Sequence, residues 1–163
     1  MSRFNTLKNK IFSLENLKTQ VEKWKAKGEK LVFTNGCFDI VHQGHIEVLA
    51  RTADLGTKLI IGLNSDSSIE RLKGKNRPII KQQSRAILLA SFSFVDAVVL
   101  FSEETPINLI STLLPDVLAK GGDYKIETIV GHEIVQKNGG KVILVPFVDG
   151  FSSTTIIEKI RKS

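Results

Sequence analysis

Five short apolar runs, Leu31–Thr34, Leu59–Leu63, Ala97–Phe101, Val117–Ala119 and Val142–Val145, alternate along the chain with stretches of helical periodicity. No other feature limits the possible folds so tightly. Short runs without polar alternation read as strands covered on both faces, because a strand with one wet face would alternate. The stretches between and after them, near 45–55, 66–73, 82–92, 105–114, 128–138 and 153–162, carry the spacing of helices with one apolar side. Strand and helix alternating in this way require crossover connections, which give a parallel sheet with helices on both faces. The expected fold is therefore α/β, a doubly wound, five-stranded parallel sheet.

Ahead of this pattern the spacing predicts one more helix. Ser13 is placed to cap it, Leu17, Val21 and Trp24 form a stripe at i, i+4 and i+7, and Gly28 stands where it would stop. Residues 1–29 read as an N-terminal helical extension and 30–163 as the main, Rossmann-like domain.

Composition narrows the function classes. The net charge of +6 is uneven: residues 1–30 hold eight Lys/Arg against three Glu, whereas the rest is close to neutral. A basic appendage on a near-neutral body argues against a surface that tracks a phosphate backbone, so no nucleic-acid partner is expected. There is no apolar run of about 18 residues and no h-region near the start, so neither a membrane partner nor a secretory signal is expected. The single cysteine, Cys37, cannot form an internal disulfide, which agrees with a cytoplasmic location.

A doubly wound sheet binds its ligand at the carboxyl ends of the strands. Neither G-x-x-x-x-G-K-[ST] nor G-x-G-x-x-G occurs there. The first apolar run leads instead into Thr34-Asn35-Gly36-Cys37-Phe38-Asp39-Ile40-Val41-His42-Gln43-Gly44-His45 and then a helical pattern. Gly36 and Gly44 let backbone N–H groups approach an anion, and the helix start adds the positive end of its dipole. His42 and His45, one helical turn apart, can lean to one side and donate to a single phosphate. A metal site formed by the two histidines with Cys37 or Asp39 is the competing reading, and it leaves the glycines unexplained.

Three further segments fit phosphate chemistry. Arg71, Lys73, Lys75, Arg77, Lys81 and Arg85 follow one another without an intervening acid, and could offset the charge of a triphosphate and a second phosphorylated substrate. Lys120-Gly121-Gly122-Asp123-Tyr124 follows another strand end, where glycines admit a base or sugar. Ser152-Ser153-Thr154 opens the last helix as an N-cap cluster.

The stretch TNGCFDIVHQGH carries the HxGH signature and resembles the cytidylyltransferase-like nucleotidyltransferase superfamily. With LKGKNRPI at 72–79 and KGGDY at 120–124 in this order, the chain is most similar to the adenylyltransferases that activate D-glycero-β-D-manno-heptose 1-phosphate. The resemblance covers almost the whole chain. Ser153 stands where the family usually has Thr, and Val41 where it commonly has Leu. The resemblance implies an enzyme with ATP as substrate, Mg²⁺ as cofactor and a phosphorylated sugar as acceptor, working in ADP-heptose and lipopolysaccharide biosynthesis as a homodimer or higher homo-oligomer. It implies catalytic roles for His42, His45 and Lys73. Nucleotide contacts would come from Thr34, Asn35, Gly36, Cys37, Phe38, Gly44, Arg85, Lys120, Gly122, Asp123, Ser152, Ser153 and Thr154. Arg71 and Arg77 are candidates for substrate phosphate, and Asp39 for organising either the loop or the metal. Other members of the superfamily are cytidylyltransferases for glycerol 3-phosphate or ethanolamine phosphate and flavin adenylyltransferases; a nucleotide-binding regulator on the same scaffold is the non-enzymatic alternative.

Overall fold

A computed structural model describes residues 2–147 and 150–163. In chain order the elements are α1 (Arg3–Lys8), β1 (Ile11–Phe12), α2 (Leu14–Ala26), β2 (Leu31–Gly36), α3 (Gln43–Ala53), β3 (Lys58–Asn64) and α4 (Asp66–Lys73). There follow α5 (Gln82–Ala90), β4 (Ala97–Phe101), α6 (Ile107–Leu113), β5 (Val117–Gly121), a 3-10 turn (Ile126–Thr128), α7 (His132–Lys137), β6 (Lys141–Val145) and α8 (Ser153–Lys162). All strands run parallel in one sheet of order β1-β4-β3-β2-β5-β6.

The five expected strands are present, and a sixth joins them. Ile11–Phe12 pairs with Val98 and Val99 at the edge. Two residues are too few to show a periodicity, so sequence reasoning had no signal for this strand. The segment before residue 30 is built into the same body, since Leu17 and Val21 lie in the core and Trp24 packs against it. The helical pattern over 128–138 is divided, because Gly131 adopts φ +86 and the helix begins only after it.

Side-chain alternation along the strands divides the apolar residues between two faces. Leu31, Phe33, Ile60, Ala97 and Val99 pack with α2, α6 and α7 residues such as Leu17, Leu109 and Val135. Val32, Leu59, Ile61, Leu63 and Val98 pack with Leu49 of α3 and Ala86 and Leu89 of α5. Two aspartates pin the register at the amino ends. Leu31 N–H donates to Asp116 at 2.7 Å and Leu59 N–H to Asp96 at 2.9 Å, each joining a strand start to its neighbour.

From β2 the chain proceeds to β3 and β4 on one side, then returns to place β5 on the other. The carboxyl ends of β2 and β5 therefore flank the point where strand order reverses, and a crevice opens there.

Candidate active site

That crevice is a cleft of about 610 Å³. One wall is the turn leaving β2. Thr34, Asn35, Gly36, Cys37 and Phe38 all line it, followed by His42, Gly44 and His45 at the start of α3. Phe38 has φ +46, a left-handed conformation uncommon for a non-glycine residue. Its ring fills the space over Gly36, where a Cβ would stand 2.9 Å from Phe38 Cε2.

The two imidazoles are stacked, with centroids 3.9 Å apart and planes 30° from parallel. Phe38 meets the His45 ring edge-on at 5.5 Å. The His42 backbone N–H donates to His45 Nδ1 at 3.4 Å. That bond makes Nδ1 the acceptor and leaves the ring proton of neutral His45 on Nε2. Burial lowers the His45 pKa to about 4, with His42 and Lys73 adding to the effect. Burial also lowers the pKa of His42. At neutral pH the free site therefore holds two uncharged imidazoles, each able to donate one N–H. Gly44 is required between them, because a Cβ there would stand 2.8 Å from Phe151 Cβ and 3.2 Å from His42 Nδ1.

The cleft is also lined by Lys73, at the end of α4, and Lys120, near the end of β5. Lys120 Nζ is 3.4 Å from Asn35 Oδ1 and 6.0 Å from the centre of the Tyr124 ring, and burial lowers its pKa. Ser152, Ser153 and Thr154 complete the cleft at the start of α8. Ser152 caps the helix, accepting from the Thr155 N–H, while Ser153 Oγ donates to the Ile40 carbonyl at 2.9 Å. The latter bond ties the α8 start to the histidine loop.

Four candidates lie elsewhere, and the reasons are physical. Arg85 is fully buried and does not line the cleft. Its Nε donates to Ile80 O, Nη1 to Cys37 O and Asn64 O, and Nη2 to Asp66 Oδ1, at 2.6–2.9 Å. It is a strut joining the turn after β2 to the end of β3, with no nitrogen facing the cleft. Arg71 lies on the surface, where Nη2 donates to the Ser102 carbonyl. Gly122 and Asp123 fall just outside the lining residues; Gly122 donates its N–H to Val145 O at 3.0 Å, and Asp123 is exposed.

Asp39 organises the loop. Both carboxylate oxygens are occupied, Oδ1 by the Ile79 and Ile80 N–H groups and Oδ2 by Ile79 N–H and Arg77 Nε, the last at 2.6 Å. Burial alone would raise its pKa, but the Ile80 and Ile79 amides and Arg77 outweigh burial and hold it below the usual value. With its oxygens so used, Asp39 is not available as a metal ligand. No group of three His, Cys, Asp or Glu able to hold a metal occurs among the described residues. Arg77 does line the cleft, and its Nη2 is buried without a hydrogen-bond partner among the described residues.

Three aromatic residues had no site role assigned from the sequence. Tyr124, Phe147 and Phe151 line the cleft while keeping 46%, 62% and 40% of their surface exposed. The signal available was position alone: Tyr124 closes the KGGDY motif and Phe151 adjoins the Ser152-Ser153-Thr154 cluster.

The cleft thus gathers paired neutral imidazoles, the Lys73 and Lys120 side chains and the start of α8. Residues 33–159 match the cytidylyltransferase-like family, and the chain belongs to it; the class is that of a nucleotidyltransferase. The particular relatives are narrower. The chain is 52% identical over 154 residues to the bifunctional protein HldE of Geobacter sulfurreducens, covering 94% of this chain and 31% of that one. It is 53% identical over 152 residues to the HldE of Geotalea uraniireducens, covering 93% and 31%. The chain thus spans about a third of the length of these curated relatives. Among solved structures, a lipopolysaccharide core biosynthesis protein from Thermoplasma volcanium superposes with a TM-score of 0.59 at 30% identity, covering 74% of this chain and 98% of that chain. No helix among the described residues is long and apolar enough to cross a membrane.

Proposed function

We propose that this chain transfers AMP from ATP to the phosphate of a heptose 1-phosphate, releasing pyrophosphate and forming an ADP-sugar. The observation that carries the reading is the stacked histidine pair, in which His45 is held as the Nε2–H tautomer by the His42 backbone. In the reaction a phosphate oxygen of the acceptor forms a bond to the α-phosphorus as the bond to the β-phosphate oxygen breaks. The acceptor oxygen is already anionic, so no protein base is needed. What the site must supply is orientation and stabilisation of charge on the phosphorus oxygens. Neutral N–H donors suit this task, because they strengthen their hydrogen bonds as charge grows without first having to shed or gain a proton. Lys73 and Lys120, which line the cleft, and the α8 start offer positive potential for the leaving pyrophosphate.

Mg²⁺ does not fit this cleft as a protein-held ion, since Asp39 is saturated and no other described carboxylate lines it. It would enter with the nucleotide, bound by phosphate oxygens and water, as part of the substrate. The acceptor assignment draws on the similarity to the HldE proteins and to a solved protein of lipopolysaccharide core biosynthesis.

The test is a panel crossing ATP and CTP with heptose 1-phosphate, glycerol 3-phosphate and ethanolamine phosphate, read by pyrophosphate release. Release with ATP and the sugar phosphate alone is expected. Release with CTP and a smaller acceptor would replace the substrates and keep the chemistry. Tight ATP binding without release on any acceptor would favour a regulator.

A further inference from the structure

The histidine motif does not hold His42 in place by itself. His42 occupies the N-cap position, outside the helix proper, and its ring Nδ1 is buried without a partner among the described residues. The His45 backbone N–H faces the His42 side chain in a reciprocal capping box but falls short of a full hydrogen bond, so it does not by itself fix the rotation of this ring. Packing does: His45 covers one face, and the Phe151 ring lies against it at 5.8 Å between centroids and 18° from parallel. With Phe38 edge-on to His45, the four rings form a continuous row across the cleft.

Phe151 belongs to a different part of the chain, immediately before the α8 start. Its place is fixed on two sides. Its Cβ sits where a side chain on Gly44 would have to go, and two residues later Ser153 Oγ is bonded to the Ile40 carbonyl, within the histidine loop. An aromatic residue keeping 40% of its surface exposed is poorly used as core, and the ring contact recorded for it is with His42.

We propose that Phe151 is a positioning residue: it closes the ring stack from the α8 side and sets the orientation of the His42 imidazole, so that the α8 start and the histidine pair are assembled as one unit. This rests on the adenylyl-transfer reading for its kinetic consequence, but not for its structural one. Aromatic pairs prefer such offset arrangements, and their loss frees a ring to rotate. A rotated donor no longer meets the transition-state oxygen, whereas ground-state binding of ATP, spread over several cationic and backbone contacts, changes little.

The experiment uses the full chain with Phe151→Leu, which keeps apolar bulk, and Phe151→Tyr, which keeps the ring. Two readouts are taken: steady-state pyrophosphate release, and the NMR shifts of the His42 Hδ2 and Hε1 protons in the free protein. Phe151→Leu should lower kcat by about tenfold with KM for ATP within about twofold, and should move the His42 ring protons downfield as the ring current is lost. Phe151→Tyr should restore most of kcat and the upfield shifts. Unchanged His42 shifts in Phe151→Leu would overturn the stack, whatever the substrates prove to be. A rise in KM matching the fall in kcat would overturn the positioning role. If no acceptor supports release in the unsubstituted protein, the NMR comparison still decides this proposal separately from the proposed reaction.

Discussion

Replacing Asp39 by Asn tests whether that carboxylate is a clamp or a metal ligand. In the clamp, one buried carboxylate with a side chain 1% exposed accepts from Arg77 Nε and from the Ile79 and Ile80 amides, pulling residues 77–80 onto the turn after β2. Asparagine keeps one accepting oxygen but turns an NH₂ group toward a donor, and it leaves the Arg77 guanidinium, 12% exposed, without its counter-charge. Breaking one side of a buried ion pair costs roughly 3–5 kcal/mol, and the retained acceptor places this substitution at the lower end, about 3 kcal/mol. In a chain of this length that lowers Tm by roughly 6–12 °C. Thermal and urea unfolding would measure the loss, with the Mg²⁺ concentration for half-maximal turnover recorded alongside. The sign with pH is also fixed. The folded pKa of Asp39 is depressed, so its stabilisation is present above the unfolded carboxylate value and is lost as pH falls through the folded one. The acid limb of the unfolding curve should therefore flatten in the variant. Unfolding within about 1 kcal/mol of the unsubstituted protein, together with a several-fold higher Mg²⁺ requirement, would refute the clamp and restore the metal role.

Three other outcomes follow from the same geometry. Arg85→Lys should destabilise by roughly 2–4 kcal/mol, because an ammonium cannot reach the four acceptors the guanidinium holds, while KM for ATP in the folded fraction stays within about twofold; a large rise in KM without destabilisation would return Arg85 to the nucleotide site. Gly44→Ala should retain the circular dichroism of the fold and lose about 10²-fold in turnover, since its Cβ meets Phe151 Cβ and His42 Nδ1. Because the folded pKa of His45 is lowered to about 4, the unfolded chain takes up this proton first, and stability should fall from pH 6.5 to about 4 and then cease to depend on this group; His45→Gln should remove that portion of the pH dependence in urea titrations.

The alternation of apolar runs revealed the sheet because burial on both faces leaves a local imprint. The turn from Thr34 to His45 was legible for a similar reason, since glycines and histidines close together in sequence are also close in space. The partners of Arg85 and Asp39 were not, although a loop-organising role was one of the two expected for Asp39. An arginine in a basic, polar stretch looks free to meet a nucleotide, whereas Arg85 is engaged by a pair of carbonyls 48 and 21 positions away, at Cys37 and Asn64. Asp39 finds its partners 38 to 41 positions on. The cleft aromatics were hard to read for the opposite reason: Phe147 and Phe151 lie outside any periodic element, so only the place of Phe151 beside the serine cluster set it apart from an ordinary apolar residue.

The proposed chemistry depends most on His45 acting as a neutral donor to the reacting phosphate. Pyrophosphate release from ATP and heptose 1-phosphate, compared between the unsubstituted chain and His45→Ala at matched stability, measures this directly. The expected result is a fall of about 10²–10³ in kcat with the fold retained; turnover within a few-fold of the unsubstituted chain would contradict it.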